Sequence, residues 1–308
     1  MTVGQKVDYV IPYVDGTDLA WISLYMKNRG LNENASNAEE VRKRFSPNVL
    51  FKYQFRGIER FMPWVGTVHL LVQSESQVPR WIDRSRVHVV LHEEFMPAEC
   101  LPTYNSSTFE CFLHRIPGLA VRFVYANDDT YVTGPLREED FFDGVMPLNS
   151  FGRRRVDPAR SESFERMNLK ITEFVHRELG LPYEPNTMCL PHHVQKAMNR
   201  AVYKSIFDRY EDYIMSKATM FRTDDNLSQA FFTVYYMLST GLRYRKTIPF
   251  RRFDVFNDYA RLIDFFDRAR PEDFPKLVCI NNNDNERDVA LACRFERLLP
   301  GRSKYEQP

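Results

Sequence analysis

The sequence lacks the features that mark secreted and membrane-spanning proteins. Its 308 residues include five cysteines, an odd number without any C-x-x-C spacing, which argues against a disulfide framework and a structural zinc site. No stretch reaches the roughly 20 apolar residues that span a bilayer, and the N-terminus has no basic segment followed by an apolar one. We therefore predict a protein without a transmembrane segment in a reducing, cytoplasmic compartment, which reaches a membrane only through surface contacts or a partner.

The sequence also lacks an excess of charge of either sign. It has 42 basic and 41 acidic residues, so the total charge gives no reason to expect nucleic acid or a general affinity for membrane surfaces. It contains no internal repeat and no low-complexity tract. A chain of this length can form one large α/β domain with a helical addition, or two modest domains that share a cleft. We expect a single catalytic unit.

Short apolar runs that end in polar residues predict an α/β fold. Residues 7–14 are typical of a buried first strand, and DGTD at residues 15–18 separates this strand from a helix over about Leu19–Arg29. Open α/β sheets place ligands at such strand ends, and Gly16 would let a nucleotide approach the backbone closely. The alternative is that this turn merely caps the helix.

The next elements continue this order. Phe51–Phe61 has apolar residues at helical spacing, and strands are predicted at Val65–Val72 and Val87–Leu91. A further short run, Val121–Ala126, brings the triplet Asn127-Asp128-Asp129 to its end. The alternation of strands and helices is typical of a nucleotide-binding α/β order.

The acid pair in this triplet is the main candidate for a metal site. Two adjacent carboxylates repel each other, so a folded protein tolerates them where water, donors or a cation compensates, and a divalent cation with phosphate oxygens is the usual compensator. Asp128 and Asp129 are therefore candidate metal and phosphate-binding residues. The alternative is that Asn-Asp-Asp is ordinary turn chemistry.

A helix is predicted upstream of the triplet, over Ser107–Leu119. Glu110 and His114, spaced i and i+4, would share one face of it, and Arg115 follows directly. A carboxylate, an imidazole and a guanidinium would then converge near the acid pair. Taken alone, His114 is better interpreted as a histidine satisfied inside a core.

The second half of the chain is predicted to be mostly helical. We expect helices over about 168–180, from after His192-His193 to about Tyr213, and over NLSQAFFTVYYMLST from Asn226. Thr223 or Asp224 would cap the last of these, which leaves Arg222 outside the helix and able to bind phosphate.

Residues 148–170, rich in arginine and serine, are interpreted as a solvent-facing loop that could meet a phosphorylated or lipid-linked acceptor. A strand at about 277–280 precedes an amide and acid cluster.

Several motifs in order resemble the Stealth family. They are DYVIPYVDGTDLAW (8–21), FKYQFRGIERFMPWV (51–65), VPRWID with VHVVLHEEF (78–95), and LPTYNSSTFECFLHRIPGL with FVYANDD (101–129). The resemblance continues more thinly at PHHVQ, FRTDDNLSQAFFTVYYML and VCINNND. The family includes bacterial capsular polysaccharide phosphotransferases and the catalytic subunit of the animal lysosomal-enzyme N-acetylglucosamine-1-phosphotransferase.

The resemblance implies a glycosyltransferase-A-like core and the transfer of a whole sugar-1-phosphate from a nucleotide sugar. An acceptor hydroxyl would attack the phosphorus next to the sugar, and a nucleoside monophosphate would leave. Such attack needs a cation or guanidinium on the non-bridging oxygens and a base near the hydroxyl. Residues 1–150 would form the nucleotide-sugar-binding α/β core, and residues 151–308 a mostly helical elaboration that completes the cleft.

The resemblance also implies roles for individual residues. Asp128 and Asp129 would hold Mg²⁺ or Mn²⁺. The implied substrate-binding residues are Asp15, Gly16, Asp18, Asn105, Ser106, Glu110, Asn127, Asp225 and Asn281. The implied catalytic residues are His192, Arg222, His114, Arg115 and Asp128.

Two positions depart from the family's pattern. Its third region often reads His-x-Pro, and this frame reads Cys189-Leu190-Pro191 here, with His192 directly after it. A thiol does not simply replace an imidazole in proton transfer at neutral pH, so we place the base at His192, with His114 as the substitute. The fourth region's Asn-Asp reads Asn281-Asn282, so Asp284 would have to supply the missing carboxylate.

The implied donor is a UDP-hexose or UDP-N-acetylhexosamine, and the implied acceptor is a glycan or lipid-linked glycan. The reaction would serve cell-surface polysaccharide synthesis on the cytoplasmic side, at or near the inner face of the membrane, without nucleic acid. Two alternatives stay open. One is an ordinary glycosyltransferase that attacks the sugar carbon and releases a nucleoside diphosphate, and the other is a non-catalytic module that binds nucleotide sugar or glycan.

Overall fold

The computed structural model describes residues 6–32, 37–38, 41, 45, 48–149, 151–157, 159–240, 255–256, 259–268, 270, 274–280 and 285–308. The strands in these ranges are β1 (Val7–Pro12), β2 (Val65–Val72), β3 (Val87–Leu91), β4 (Arg122–Tyr125), β5 (Thr130–Val132), β6 (Phe142–Asp143), β7 (Met146–Pro147), β8 (Phe151–Arg155), β9 (Thr187–Pro191), β10 (Lys196–Asn199), β11 (Val255–Phe256) and β12 (Leu277–Ile280). The helices there are α1 (Leu19–Arg29), α2 (Phe51–Phe61), α3 (His92–Phe95), α4 (Ser106–Glu110), α5 (Ser163–Glu178), α6 (Arg200–Arg209), α7 (Glu211–Ser216), α8 (Gln229–Ser239), α9 (Tyr259–Arg268) and α10 (Asn285–Leu298).

The central sheet has the strand order β10-β4-β1-β2-β3. Strands β4, β1, β2 and β3 run parallel, and β10 runs antiparallel to β4. The carboxyl ends of the four parallel strands therefore lie at one edge, called here the carboxyl edge, and β10 begins at that same edge. Ligands of open α/β sheets bind at this edge.

Both faces of the central sheet are covered, which explains why its parallel strands are mostly apolar. On one face Ile11 packs in the same buried cluster as Phe55 of α2. On the other, Val10 and Phe123 pack with Phe232 of α8. Each such side chain contributes about 1.5–3 kcal/mol when fully buried, so the two cores together fix where the strand ends lie.

The first two helices begin and end where the sequence predicts. Asp18 accepts hydrogen bonds from the backbone N–H groups of Ala20 and Trp21 and so caps α1, while Gly30 ends this helix with a φ of 68°. The second helix spans Phe51–Phe61 as expected. The capping interpretation of the DGTD turn is thus confirmed for Asp18.

The single helix predicted over Ser107–Leu119 is wrong. The structure has the short α4 and a separate 3₁₀ turn at Leu113–Arg115. Between them, Cys111 N–H bonds to Thr108 O at 3.2 Å and Phe112 N–H to Phe109 O at 3.0 Å. A 3₁₀ turn has about three residues per turn, so residues at i and i+4 no longer share a face.

Two helix starts in the second half were also predicted wrongly. Lys196–Asn199 forms strand β10, and the following helix starts at Arg200, where Asn199 accepts hydrogen bonds from two backbone N–H groups. Helix α8 starts at Gln229 and not at Asn226. Its first turn is held by Ser228, whose Oγ accepts from Phe231 N–H at 3.3 Å, so Thr223 and Asp224 are not its cap.

The stretch 148–170 is not a loop throughout. Strand β8 within it pairs antiparallel with β9, and α5 begins at Ser163. A three-stranded sheet has the order β11-β12-β5, with β12 antiparallel to β5.

Strands from the second half of the chain therefore complete the five-stranded and the three-stranded sheets, each of which begins in the first half. The predicted α/β class with a mostly helical second half is confirmed, while the functional division at residue 150 stays a prediction. None of the helices in the described ranges is long and apolar enough to cross a lipid bilayer.

Candidate active site

The acidic triplet lies at the carboxyl edge, directly after β4, and its backbone is held on both sides. Gln54 donates to the carbonyl oxygen of Asn127 at 2.9 Å, and Asn48 donates to that of Asp128 at 2.8 Å. Thr130 donates its hydroxyl to the same Asn127 oxygen at 2.9 Å. These bonds fix the turn through its main chain and leave the half-buried carboxylates available to a ligand.

Two residues from the second half of the chain meet this acid pair. His193 Nε2 lies 3.3 Å from Asp129 Oδ2 and 3.3 Å from Asn127 Nδ2. The thiol of Cys279 donates to Asp129 Oδ2 at 3.5 Å. One ligand atom from each of Asp129, His193 and Cys279 lies within 4.8 Å of the others, so a single cation could contact all three.

The electrostatics of the acid pair fit a bound cation. Burial, and then the neighbouring charge of Asp129, raise the pKa of Asp128 from 3.8 to about 7. Asp129 Oδ1 is buried and has no hydrogen-bond partner among the described residues. A divalent cation would bind the Asp129 oxygen that has no hydrogen-bond donor, and its charge would favour the ionised form of Asp128.

The donor set says which cations suit this place. Asp128 and Asp129 offer the oxygen ligands that Mg²⁺ prefers, whereas the imidazole of His193 adds a nitrogen that Mn²⁺ accepts more readily. Burial, and then Asp129, raise the pKa of the Cys279 thiol well above its usual value. Cys279 is therefore a thiol in the absence of a cation.

The turn after β1 is occupied by its own hydrogen bonds. Asp15 Oδ1 accepts from Thr17 N–H at 2.8 Å and from the Thr17 hydroxyl at 2.6 Å. Asp18 Oδ2 accepts from Gln77 Nε2 at 2.9 Å, while its other oxygen caps α1. A Cβ at Gly16 would lie 1.8 Å from the carbonyl oxygen of Phe45. The group that approaches Gly16 closely is therefore the backbone of Phe45, whereas a nucleotide was expected there from the sequence.

The predicted convergence of Glu110, His114 and Arg115 does not occur. Glu110 is buried and accepts from the Tyr125 hydroxyl at 3.0 Å and the Ser228 hydroxyl at 2.6 Å. His114 lies against Phe207, with ring centroids 4.8 Å apart, and burial, helped by Arg115, lowers its pKa to about 4. His114 is thus a neutral core histidine, as the alternative interpretation had it, and not a substitute base.

Of the remaining predicted site residues around α4 and before α8, two contact each other and two have structural or surface contacts. Arg222 Nη2 donates to Ser106 Oγ at 3.0 Å, so these two predicted site residues are brought together. Asn105 Oδ1 accepts from Ser107 N–H and caps α4. Asp225 is exposed and forms ion pairs with Lys170 and Lys217, which is surface chemistry.

Asn281 and Asp284, which were expected to supply an amide and a carboxylate, lie outside the described residues.

From the sequence the base is expected at His192, whereas the residue in contact with the acid pair is its neighbour His193. His192 is half-buried, and burial lowers its pKa. Its neighbour His193 makes the 3.3 Å contact with Asp129. The two adjacent histidines are visible in the sequence. Their position at the carboxyl edge would have followed only from predicting the strand at 196–199, which begins at that edge.

The family comparison agrees with the position of this site. Residues 44–147 match the family described as Stealth protein CR2, conserved region 2, and this range contains the acid pair. The capsular polysaccharide phosphotransferase WcwK of Streptococcus pneumoniae is 35% identical over 173 residues, which are 55% of this chain and 50% of that protein. The receptor polysaccharide phosphotransferase WefC of Streptococcus oralis is 38% identical with the same coverage of 55% and 50%.

The matched part of the chain thus spans half the length of these two relatives. The exopolysaccharide phosphotransferase cps2G of Lactiplantibacillus plantarum is 25% identical over 344 aligned positions that cover 98% of this chain and 96% of that protein. Among solved structures, the galactosyltransferase LgtC in complex with donor and acceptor sugar analogs is a distant likeness, with 13% identity, a TM-score of 0.44, and coverage of 97% of this chain and 98% of that one. Residues 44–147 thus match a conserved region of the Stealth family, and the chain is similar to polysaccharide phosphotransferases within and beyond that region.

Proposed function

We propose that the chain is an enzyme that transfers hexose-1-phosphate from a nucleotide sugar to a glycan hydroxyl. The donor would be a UDP-hexose or UDP-N-acetylhexosamine, the acceptor a glycan or lipid-linked glycan, and the products a phosphodiester and a nucleoside monophosphate. The observation that carries the proposal is the 3.3 Å contact between Asp129 and His193 at the carboxyl edge, next to Asp128 in the chain. The relatives' names, which are those of polysaccharide phosphotransferases, support the same reaction.

Asp128 and Asp129 would hold the divalent cation, which when bound supplies positive charge to the phosphate oxygens. The imidazole of His193 would act as the base. If its Nε2–H donates to Asp129, Nδ1 is left unprotonated and can accept the proton of the acceptor hydroxyl. Asn127 Nδ2 is itself a donor and cannot accept this N–H, so a protonated Nε2 has Asp129 Oδ2 as its acceptor.

The reaction would then run in one displacement. The acceptor oxygen bonds to the phosphorus next to the sugar as its proton passes to His193, and the bond from that phosphorus to the nucleoside monophosphate oxygen breaks. The exposed guanidinium of Arg222 has N–H groups beyond the one bonded to Ser106 and would contact a phosphate oxygen. We place this reaction on the cytoplasmic side of the membrane.

The two halves of the chain would work as a single catalytic unit. Residues 1–150 contribute the acid pair, and residues 151–308 contribute His193 ahead of β10 and Cys279 on β12. Both strands pair with strands of the first half. Separating the halves would therefore take His193, the proposed base, away from the acid pair.

The test identifies the nucleotide that is released. The protein is incubated with Mn²⁺ or Mg²⁺, a panel of UDP-hexoses and UDP-N-acetylhexosamines, and a glycan acceptor preparation, with an Asp129→Asn variant as the control. Uridine monophosphate and a phosphodiester signal in the ³¹P spectrum of the product, both absent with the variant, would support the proposal. Uridine diphosphate would instead establish attack at the sugar carbon, and binding of donor without release of either nucleotide across all acceptors would favour a binding module.

A further inference from the structure

Lys196 is a basic residue at the carboxyl edge that the proposed reaction does not yet use. It is the first residue of β10 and pairs with Tyr125 of β4. Paired residues of antiparallel strands point to the same face of a sheet, so Lys196 shares a face with Tyr125, whose hydroxyl bonds to Glu110. The acidic triplet begins two residues after Tyr125, on the strand that β10 borders.

The ammonium group of Lys196 has few partners of its own. Within the described part of the chain its hydrogen bond goes to the carbonyl oxygen of Val194 at 3.3 Å, and no carboxylate there lies within ion-pair distance of it. The side chain is half-buried. Burial lowers the pKa of Lys196, while Glu110 and Asp129 act in the opposite direction. An ammonium group has three donors, so two of them are available to a ligand.

A purely structural role as counter-charge to Glu110 explains this arrangement less well. Both oxygens of Glu110 already accept hydrogen bonds, one from Tyr125 and one from Ser228. A half-buried cation is costly unless something pairs with it, and the carboxyl edge is the place where the proposed substrate's phosphates would lie. The unpaired donors therefore point to an anion that arrives with the substrate.

We propose that Lys196 is a phosphate-binding residue that contacts a non-bridging oxygen of the donor's diphosphate group. The identity of the donor rests on the proposed function. A diphosphate carries at least two negative charges into a site lined by Asp128 and Asp129, so a second cationic group beside the metal offsets their repulsion. An ammonium group acts there as a point charge and needs no fixed geometry.

The experiment measures binding rather than turnover. Uridine diphosphate and uridine are titrated into the full chain in the presence of Mn²⁺ by calorimetry, for the wild type and for Lys196→Met, which keeps the apolar stem. Because hydrogen bonds to charged groups contribute about 1.5–3 kcal/mol, the variant should bind uridine diphosphate about 10- to 100-fold more weakly. Its affinity for uridine, which has no phosphate, should stay unchanged, and Lys196→Arg should recover part of the loss.

The matched control is Lys204→Met on α6, an exposed lysine that pairs with Asp208, and it should leave both affinities as in the wild type. Equal binding of uridine diphosphate by wild type and Lys196→Met would overturn the proposal, and so would a wild type that binds uridine as tightly as uridine diphosphate. If Lys196→Met does not fold, the Lys196→Gln variant, which removes the charge but keeps a polar side chain, decides: loss of uridine diphosphate affinity with retained uridine affinity supports the contact, and unchanged affinities overturn it.

These outcomes are separable from those of the proposed function. A wild type that binds uridine diphosphate through Lys196 yet releases no uridine monophosphate with any acceptor would refute the transfer reaction and leave the phosphate contact standing. A wild type that releases the monophosphate while Lys196→Met binds and reacts normally would refute the contact alone.

Discussion

Asp129 and His193 lie 64 positions apart in the sequence, and Asp129 Oδ2 is 3.3 Å from His193 Nε2. The contact exists because β10 runs antiparallel to β4 and therefore begins where β4 ends. An antiparallel strand added to a parallel sheet brings the residues before it to the carboxyl edge. The proposed base and the proposed cation ligands thus belong to one tertiary arrangement.

A divalent cation should stabilise the wild type through its acid pair. We expect millimolar Mn²⁺ to raise the thermal midpoint by several degrees, since a ligand that binds only the folded state adds stability as its concentration exceeds Kd, about 2.7 kcal/mol at 100 times Kd. Asp129→Asn should abolish the rise. The exposed Asp212→Asn serves as the charge-matched control and should retain it. An equal rise in Asp129→Asn would place the cation elsewhere.

The two adjacent histidines should differ in their effect on turnover. With His193→Ala we expect kcat to fall about 100-fold or more, as is usual for loss of a general base, whereas His192→Ala should lower it far less. Steady-state kinetics of nucleotide release measure both. If His193 is the base, the alanine variant keeps the Mn²⁺-induced rise in thermal midpoint. Loss of that rise in His193→Ala would make His193 a cation ligand instead.

Asp8 should give the fold an acid-sensitive component. It is buried beside His69, whose Nε2 lies 3.0 Å from Asp8 Oδ2. Burial opposes its ionisation, but hydrogen bonds from His69, Thr67 and Ala120 outweigh burial and lower its pKa from 3.8 to about 2. Because the folded-state pKa lies below the unfolded one, this stabilisation is present above pH 4 and is lost as the pH falls from about 4 to 2.

At about 1.4 kcal/mol per pKa unit, the Asp8 contribution is about 2.5 kcal/mol. Asp8→Asn should therefore lower the free energy of unfolding at pH 7 and flatten its dependence on pH between 4 and 2, which urea denaturation at a series of pH values measures. The exposed Asp212→Asn should change neither quantity. If the free energy of unfolding of Asp8→Asn falls as steeply between pH 4 and 2 as that of the wild type, the assignment to Asp8 is contradicted.

Gly16 should be required by the fold itself. Its missing side chain makes room for the Phe45 carbonyl, which would lie 1.8 Å from a Cβ, and backbone cannot swing aside as a side chain can. We expect Gly16→Ala to destabilise the protein by about 1–3 kcal/mol, measured by thermal or urea unfolding. Gly66→Ala is the matched control, since the nearest atoms to its Cβ would be carbons of the flexible Lys6 side chain. Equal stability of both variants would show that the turn rearranges freely.

The local elements of the first half could be predicted because their signals are local. Helices α1 and α2 and strands β2 and β3 follow from apolar periodicity and from caps such as Asp18. The break in the helix after Ser106 could not be predicted. Its i→i+3 hydrogen bonds depend on packing in the folded chain, and the spacing of apolar residues does not distinguish them from the i→i+4 bonds of an α-helix. The short strand at Lys196–Asn199 was not predicted for a related reason. Four residues next to a strong helix signal are too few to show the alternation of a strand.

An acid pair at the end of a buried strand of an α/β sheet can be predicted from local pattern, because an apolar run is followed directly by Asn127-Asp128-Asp129. The residues that meet this pair come from distant parts of the chain and follow from the fold. His193 and Cys279 reach Asp129 through the antiparallel pairing of β10 with β4 and of β12 with β5. Such pairing depends on packing and hydrogen bonding between distant segments, and neither spacing nor composition encodes it locally.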